Sequence, residues 1–225
     1  MFIPIIFSEW RQQHRYCKKW LRAARLYLIL DAEVNGYGRL LEILKSAVAG
    51  GIGIAQLRDK KGSAREILAF SHAARKVING RIPFILNDRV DLARLAADGV
   101  HLGQEDVPLT QARKMLGQTA LIGVSCQTLA QAKKAQAQRA DYIGFGSIFK
   151  TLTKPGRSPQ DLKILGKVAV QIKIPVFAIG GITRRNAGRV LGTGIERLAV
   201  CRDICLAEDV PKATLDWNEI LNAKL

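Results

Sequence analysis

Acidic residues and histidine are scarce in this chain. It carries 19 Asp+Glu against 35 Lys+Arg and only 3 His in 225 residues, a formal charge of +16. So large an excess suits anionic partners, whether phosphorylated metabolites, nucleic acid or an acidic membrane surface, and charge alone does not choose among them. The histidines (14, 72, 101) and the 4 cysteines (17, 126, 201, 205) form no C-x-x-C pair and complete no zinc spacing. A disulfide framework is thereby excluded, and the thiols read as reduced, which points to a cytoplasmic protein. No apolar run approaches the ~18 residues of a membrane-spanning helix. No G-x-G-x-x-G follows the first apolar run, so the dinucleotide-binding fingerprint is missing too. Apolar residues at 48% and charged residues at 24% are ordinary for a globular chain and exclude wholesale disorder and collagen.

What is present divides at residue 25. The stretch 1–25 holds Arg11, Arg15, Lys18, Lys19, Arg22 and Arg25 against Glu9. It does not read as a signal peptide, because its charges follow its apolar stretch and no small-residue cleavage site is evident. It is expected to be a basic helical extension, solvated and packed beside the folded domain; lying on anionic lipid with Phe7, Trp10 and Trp20 as anchors is the other reading.

From Leu26 to Leu225 short apolar runs alternate with longer stretches of helical period. The runs are 26–30, 53–57, 83–86, 99–102, 121–124, 142–145, 175–179 and 196–200, several rich in Ile and Val, as strands buried on both faces are. Between them lie amphipathic stretches at 39–49, 63–78, 89–96, 110–116, 128–138, 160–171 and 184–191. Thr110, Thr128 and Thr183 are candidate N-caps, and Pro211 fits the first turn of a terminal helix over 208–223. Eight strands alternating with helices fit a single (β/α)8 TIM barrel over 26–225; a doubly wound open sheet is the alternative.

In such a barrel the active site forms at the carboxyl ends of the strands. Polar residues follow seven of the eight runs: Gln56 to Lys60, Asn87-Asp88, Gly103 to Asp106, Ser125, Gly146 to Lys154, Gly180 to Thr183, and Cys201-Arg202-Asp203. Arg58, Lys60 and Lys154 would bring cations to one rim, Arg as a fork for phosphate oxygens and Lys as a point charge. Asp88 and Asp106, on adjacent strand ends, can share a hard cation, and few carboxylates plus substrate phosphates and water is the usual Mg²⁺ arrangement. Gly180-Gly181 ahead of Thr183 reads as a turn that exposes amides to a phosphate, with Thr151 and Thr153 offering hydroxyls to a second anion. Each residue also has a plainer reading. Lys60 beside Lys61 can be a solvated pair, Asp88 a helix cap, Asp106 a turn residue before Pro108, and His101 inward packing. The combination is more informative than its members.

In this order the residues resemble thiamine phosphate synthase. The matching stretches are QLRDK (56–60), ND (87–88), ADGVHLGQED (97–106), GVS (123–125), ADYIGFGSIF and T-x-TK (140–154) and IGGI (179–182). The resemblance implies a transferase that joins a hydroxymethylpyrimidine diphosphate to a thiazole phosphate and releases pyrophosphate. It implies that Gln56, Arg58, Lys60, Asn87 and Lys154 hold the diphosphate and that Asp88 and Asp106 hold Mg²⁺. Ser125 would lie beside the pyrimidine, and Thr151, Thr153 and the Gly181 amide would take the thiazole phosphate. Arg58, Lys60, Lys154 and Ser125 are the catalytic residues so implied.

The chain departs from the family pattern where Cys201-Arg202-Asp203 replaces an apolar-Ser-Ala stretch. Arg202 there either binds phosphate itself, beside Cys201, or pairs with Asp203. The partners expected are small phosphorylated substrates, with a homo-oligomer possible and neither nucleic acid nor a membrane span expected. A thiazole tautomerase of the same family needs no diphosphate or metal, and retention of Arg58, Lys60, Asn87, Asp88 and Asp106 argues against it. A basic nucleic-acid-binding protein lacks any recognition signature here.

Overall fold

The computed structural model describes residues 17–151 and 158–223. The apolar runs become eight parallel strands, β1 (Leu26–Asp31), β2 (Ile54–Arg58), β3 (Phe84–Asn87), β4 (Gly99–Leu102), β5 (Leu121–Cys126), β6 (Tyr142–Phe145), β7 (Val176–Ile179) and β8 (Leu198–Val200). Each pairs with the next, and β8 returns to β1 through Leu26↔Leu198 and Leu28↔Val200, so the sheet is a closed barrel and not an open doubly wound one.

Both faces of every strand are covered, which is why the runs are apolar without a polar alternation. Along β1 the side chains still alternate: Leu26, Leu28 and Leu30 pack outward under the helices, while Tyr27 and Ile29 point into the lumen. The lumen is filled, not hollow. The rings of Tyr27, Tyr142 and Phe177 meet edge to face with centroids 5.8, 5.2 and 5.7 Å apart.

The described part of the N-terminal segment contains a helix, α1 (residues 17–23). Cys17, Leu21 and Ala24 are buried and join the lumen cluster. Lys18 reaches Asp141 at 3.2 Å, and Arg197 donates to the carbonyl of Arg22 at 3.1 Å. Asp141 and Arg197 both precede strands, so α1 closes the floor of the barrel. It is not a solvated helix beside it; its apolar residues cover lumen side chains that water would otherwise reach. Residues 1–16, with Phe7 and Trp10, lie outside the described part.

The remaining helices are α2 (Tyr37–Ala49), α3 (Ala64–Ile78), α4 (Val90–Ala96), α5 (Leu109–Leu116), α6 (Leu129–Ala137), α7 (Leu162–Gln171), α8 (Ala187–Leu191), α9 (Arg202–Cys205) and α10 (Val210–Asn222). Thr128 caps α6 in a reciprocal box with Gln131, and Ser63 does the same for α3 with Glu66. Pro211 occupies the first turn of α10 behind the capping Asp209. Thr110 and Thr183 are not caps. Pro108 precedes α5, placing Thr110 inside its first turn, and the loop after β7 runs on to Asn186 before α8 starts.

Candidate active site

The carboxyl ends of the strands surround a cavity of about 300 Å³. Gln56, Arg58, Asn87 and Ser125 enter it from β2, β3 and β5, while Thr151, Gly181, Cys201 and Arg202 enter from the segments after β6, β7 and β8. Thr153 and Lys154 lie outside the described residues.

Arg58 is the last residue of β2 and is buried. Its Nη1 bonds Asp31, the last residue of β1, at 2.9 Å and approaches Glu33 at 3.4 Å. A buried guanidinium needs such a counter-charge. The pairing also clamps its orientation, and its Nε is left without a hydrogen-bond partner.

Beside it, the β2–α3 turn is shaped by Asp59, whose Oδ1 accepts from the amides of Lys61 at 2.8 Å and Gly62 at 2.7 Å. This turn holds out Lys60, which is exposed and ion-paired to Asp88. Asp88 does not cap α4: the residue before that helix is Arg89, with no side-chain cap bond. Asp88 sits instead at φ 62, a left-handed backbone that aspartate adopts only at a cost. Burial pushes its carboxyl up, and a hydrogen bond shared with Asp106 pushes it further, against the lowering effect of Lys60. Asp106 keeps its turn role too, accepting from the Gly103 amide at 2.6 Å. Two carboxylates are thus pressed together at the rim with one ammonium against them.

Opposite this acidic pair, Gly180 and Gly181 turn at φ 104 and 64. A Cβ on Gly180 would strike Ser147, and one on Gly181 would strike the backbone of Lys150. Only glycine permits both the dihedral and the approach. Among the described residues the Gly181 amide makes no backbone hydrogen bond. Arg202 lines the same end of the cavity. Asp203 accepts from Arg184 at 3.0 Å and from the Trp217 indole at 2.9 Å. Among the described residues Arg202 has no ion-pair partner, and its Nε is buried without a hydrogen bond. Arg202 is therefore turned to the cavity and not spent on Asp203.

The strand-end reading overlooked Asp31 and Glu33, although they follow the first apolar run as directly as Asn87 follows the third. It also passed over Tyr27 and Tyr142, each inside an apolar run and looking like packing. His101 points inward, as its place among apolar neighbours predicts, and it is polar-bonded there, to Ser125 at 2.9 Å and Tyr142 at 3.2 Å.

Residues 26–204 match the family model for thiamine monophosphate synthase. The chain is 45% identical to thiamine-phosphate synthase of Gloeobacter violaceus over 90% of its own length and 59% of that protein's, so it spans little more than half of that relative. It is 40% identical to thiamine-phosphate synthase of Halalkalibacterium halodurans, covering 91% of this chain and 98% of the relative. Among solved structures, thiamine phosphate pyrophosphorylase from Pyrococcus furiosus superposes with a TM-score of 0.80 at 37% identity, over 91% of this chain and 96% of that one. A 3-hexulose-6-phosphate synthase at 16% identity and TM-score 0.64 shares the fold alone. With its closed barrel, its strand-end cavity and a match running from β1 into α9, the chain belongs to the thiamine monophosphate synthase family.

Proposed function

We propose that this barrel condenses a 4-aminopyrimidine bearing a diphosphomethyl group with a thiazole phosphate, giving thiamine phosphate and pyrophosphate. The observation that carries the reading is the juxtaposition of Arg58, Lys60, Asn87, Asp88 and Asp106 on three neighbouring strand ends. Across the cavity, Gly181 and Arg202 supply a separate anion-binding end.

Asp88 and Asp106 are the residues that would hold Mg²⁺, and the donor set fits. Among the described residues no group of three or more His, Cys, Asp or Glu could hold a metal alone, so the other ligands would be diphosphate oxygens and water, as magnesium prefers. When bound, the ion supplies positive charge to the departing diphosphate.

The chain's own groups do the rest. Arg58, clamped by Asp31, presents its fork to the diphosphate, with Lys60 and Lys154 adding cationic charge and Gln56 and Asn87 hydrogen bonds. The bond from the methylene carbon to the diphosphate oxygen breaks with its electron pair leaving on oxygen. The cations favour that developing charge more than the ground state. The aminopyrimidine ring carries the positive charge left on the methylene, and Ser125 orients the ring. The thiazole nitrogen, held in line through its phosphate by Gly181, Thr151, Thr153 and Arg202, donates its lone pair to form the new C–N bond. No general base is needed. The filled lumen keeps water from the floor of the cavity, which protects the cation from capture.

The test is pyrophosphate release with both substrates, with and without Mg²⁺. Release that requires both substrates and the metal supports the reading. A folded protein that only isomerises the thiazole phosphate overturns it.

A further inference from the structure

A polar chain runs through the otherwise apolar lumen at the base of the cavity, where Tyr27, Gln56, His101 and Ser125 line the wall and Tyr142 lies behind them. The Gln56 amide donates to the Tyr27 hydroxyl. The hydroxyls of Tyr27 and Tyr142 lie 2.9 Å apart, Tyr142 meets His101 Nδ1 at 3.2 Å, and His101 Nε2 meets Ser125 Oγ at 2.9 Å. Gln56, Tyr27, Tyr142 and His101 are all buried to more than nine-tenths, and only Ser125 is partly open. Room for the chain is made on purpose: a Cβ on Gly123 would collide with both the Tyr142 ring and His101, and one on Gly144 would sit 3.2 Å from His101.

The chain has a direction. Gln56 Nε2 can only donate, so the Tyr27 oxygen accepts. The Tyr27 proton then has one partner among these groups, the Tyr142 oxygen; were Tyr142 to donate to Tyr27 instead, the Tyr27 proton would have no acceptor in the chain. Burial pushes both phenols well above their ordinary range, so both keep their protons. Tyr142 therefore donates to His101 Nδ1, which must be unprotonated. The ring carries its proton on Nε2 and gives it to Ser125 Oγ. The Ser125 proton is left for the cavity.

We infer that Tyr27, Tyr142 and His101 are positioning residues that fix the Ser125 hydroxyl as a hydrogen-bond donor, so that the site accepts a heteroaromatic ring presenting an unprotonated nitrogen lone pair and rejects one presenting N–H there. The substrate part of this inference rests on the placement of Ser125 beside the pyrimidine; the tautomer of His101 does not. A reversed Gln56 amide would reverse every bond, put the proton on Nδ1 and make Ser125 an acceptor.

Two measurements decide it. In ¹⁵N-labelled ligand-free protein, long-range proton–nitrogen correlation near neutral pH, with the His101 signal identified by loss in His101→Gln, is expected to show the Nε2-protonated ring. An Nδ1-protonated or doubly protonated ring overturns the inference, whatever reaction the protein proves to catalyse. In turnover, Tyr142→Phe and Tyr27→Phe are each expected to lower kcat/KM for the pyrimidine substrate about five- to tenfold with KM for the thiazole phosphate unchanged. Placed on Ser125→Ala, either is expected to add less than about twofold. Full additivity, or an equal rise in both KM values, marks the tyrosines as mere packing and overturns the inference.

Discussion

Asp88 shows at the scale of one residue how a proposed metal-binding role is set against stability. Its left-handed backbone, its burial and its contact with Asp106 all disfavour a folded carboxylate. Asp88→Asn removes the like charge and places a residue that tolerates that backbone better. Thermal unfolding of Asp88→Asn should occur at the same temperature or higher, while turnover falls about 100-fold or more; Asp106→Asn should lose turnover to a similar degree. Loss of stability without loss of turnover would mark the pair as structural. Asp31 is the opposite case. It pairs with buried Arg58 at 2.9 Å, so Asp31→Asn should cost about 3–5 kcal/mol in urea unfolding, because the guanidinium keeps its desolvation and loses its closer, buried counter-charge, leaving only the more exposed Glu33 at 3.4 Å.

Asp59 has a pH signature. Burial raises its carboxyl, but hydrogen bonds from the Tyr37 hydroxyl and the Lys61 and Gly62 amides, with the Arg58 charge, outweigh this and hold it below the usual carboxylate range. A lowered folded value means its stabilisation is complete above the unfolded value, about 3.9, and is lost as pH falls through the folded one. Asp59→Asn should therefore flatten the acid limb of the stability curve below about pH 4. An unchanged acid limb would show that the turn is held by other groups.

At the scale of elements, one carboxylate ties the segment after β8 to two other parts of the fold. Asp203 at the start of α9 receives Arg184 from the loop before α8 and the buried Trp217 of α10; Arg184 also pairs with Asp216 at 2.7 Å. This network frees Arg202 for the cavity. Asp203→Ala strands the Trp217 indole proton, at about 1–3 kcal/mol by denaturant titration. It should also raise KM for the thiazole phosphate, because Arg202 loses its support. The helix starts follow local rules where a cap lies next to the apolar stripe, as at Ser63 and Thr128. They depart where proline or a long loop intervenes, as at Thr110 and Thr183.

At the scale of the whole molecule, the described end of the basic N-terminal segment is part of the barrel. A chain beginning at residue 26 loses Cys17, Leu21 and Ala24 from the lumen cluster; removing Leu21 alone carries a cost of about 2–5 kcal/mol. That chain should melt far lower and lose activity with its fold. If it retains full stability and turnover, α1 is not the floor. No helix among the described residues is long and apolar enough to cross a membrane.

Strand number and strand order were legible in the residues themselves, because both-face burial writes itself as short apolar runs, and the residues at the strand ends could be named because those runs end there. Arg58, Asn87, Asp88, Asp106 and Gly181 could each be picked out that way. Three things were decided only by the closed barrel. Asp31 became the partner of Arg58 because β1 lies beside β2 in register. Arg202 was released because Trp217, distant in sequence, claims Asp203 with Arg184. Tyr27, His101 and Tyr142 became one polar chain because β1, β4 and β6 face each other across a lumen that no linear pattern displays. Local periodicity reports which face of an element is dry; it carries no information about which dry faces meet.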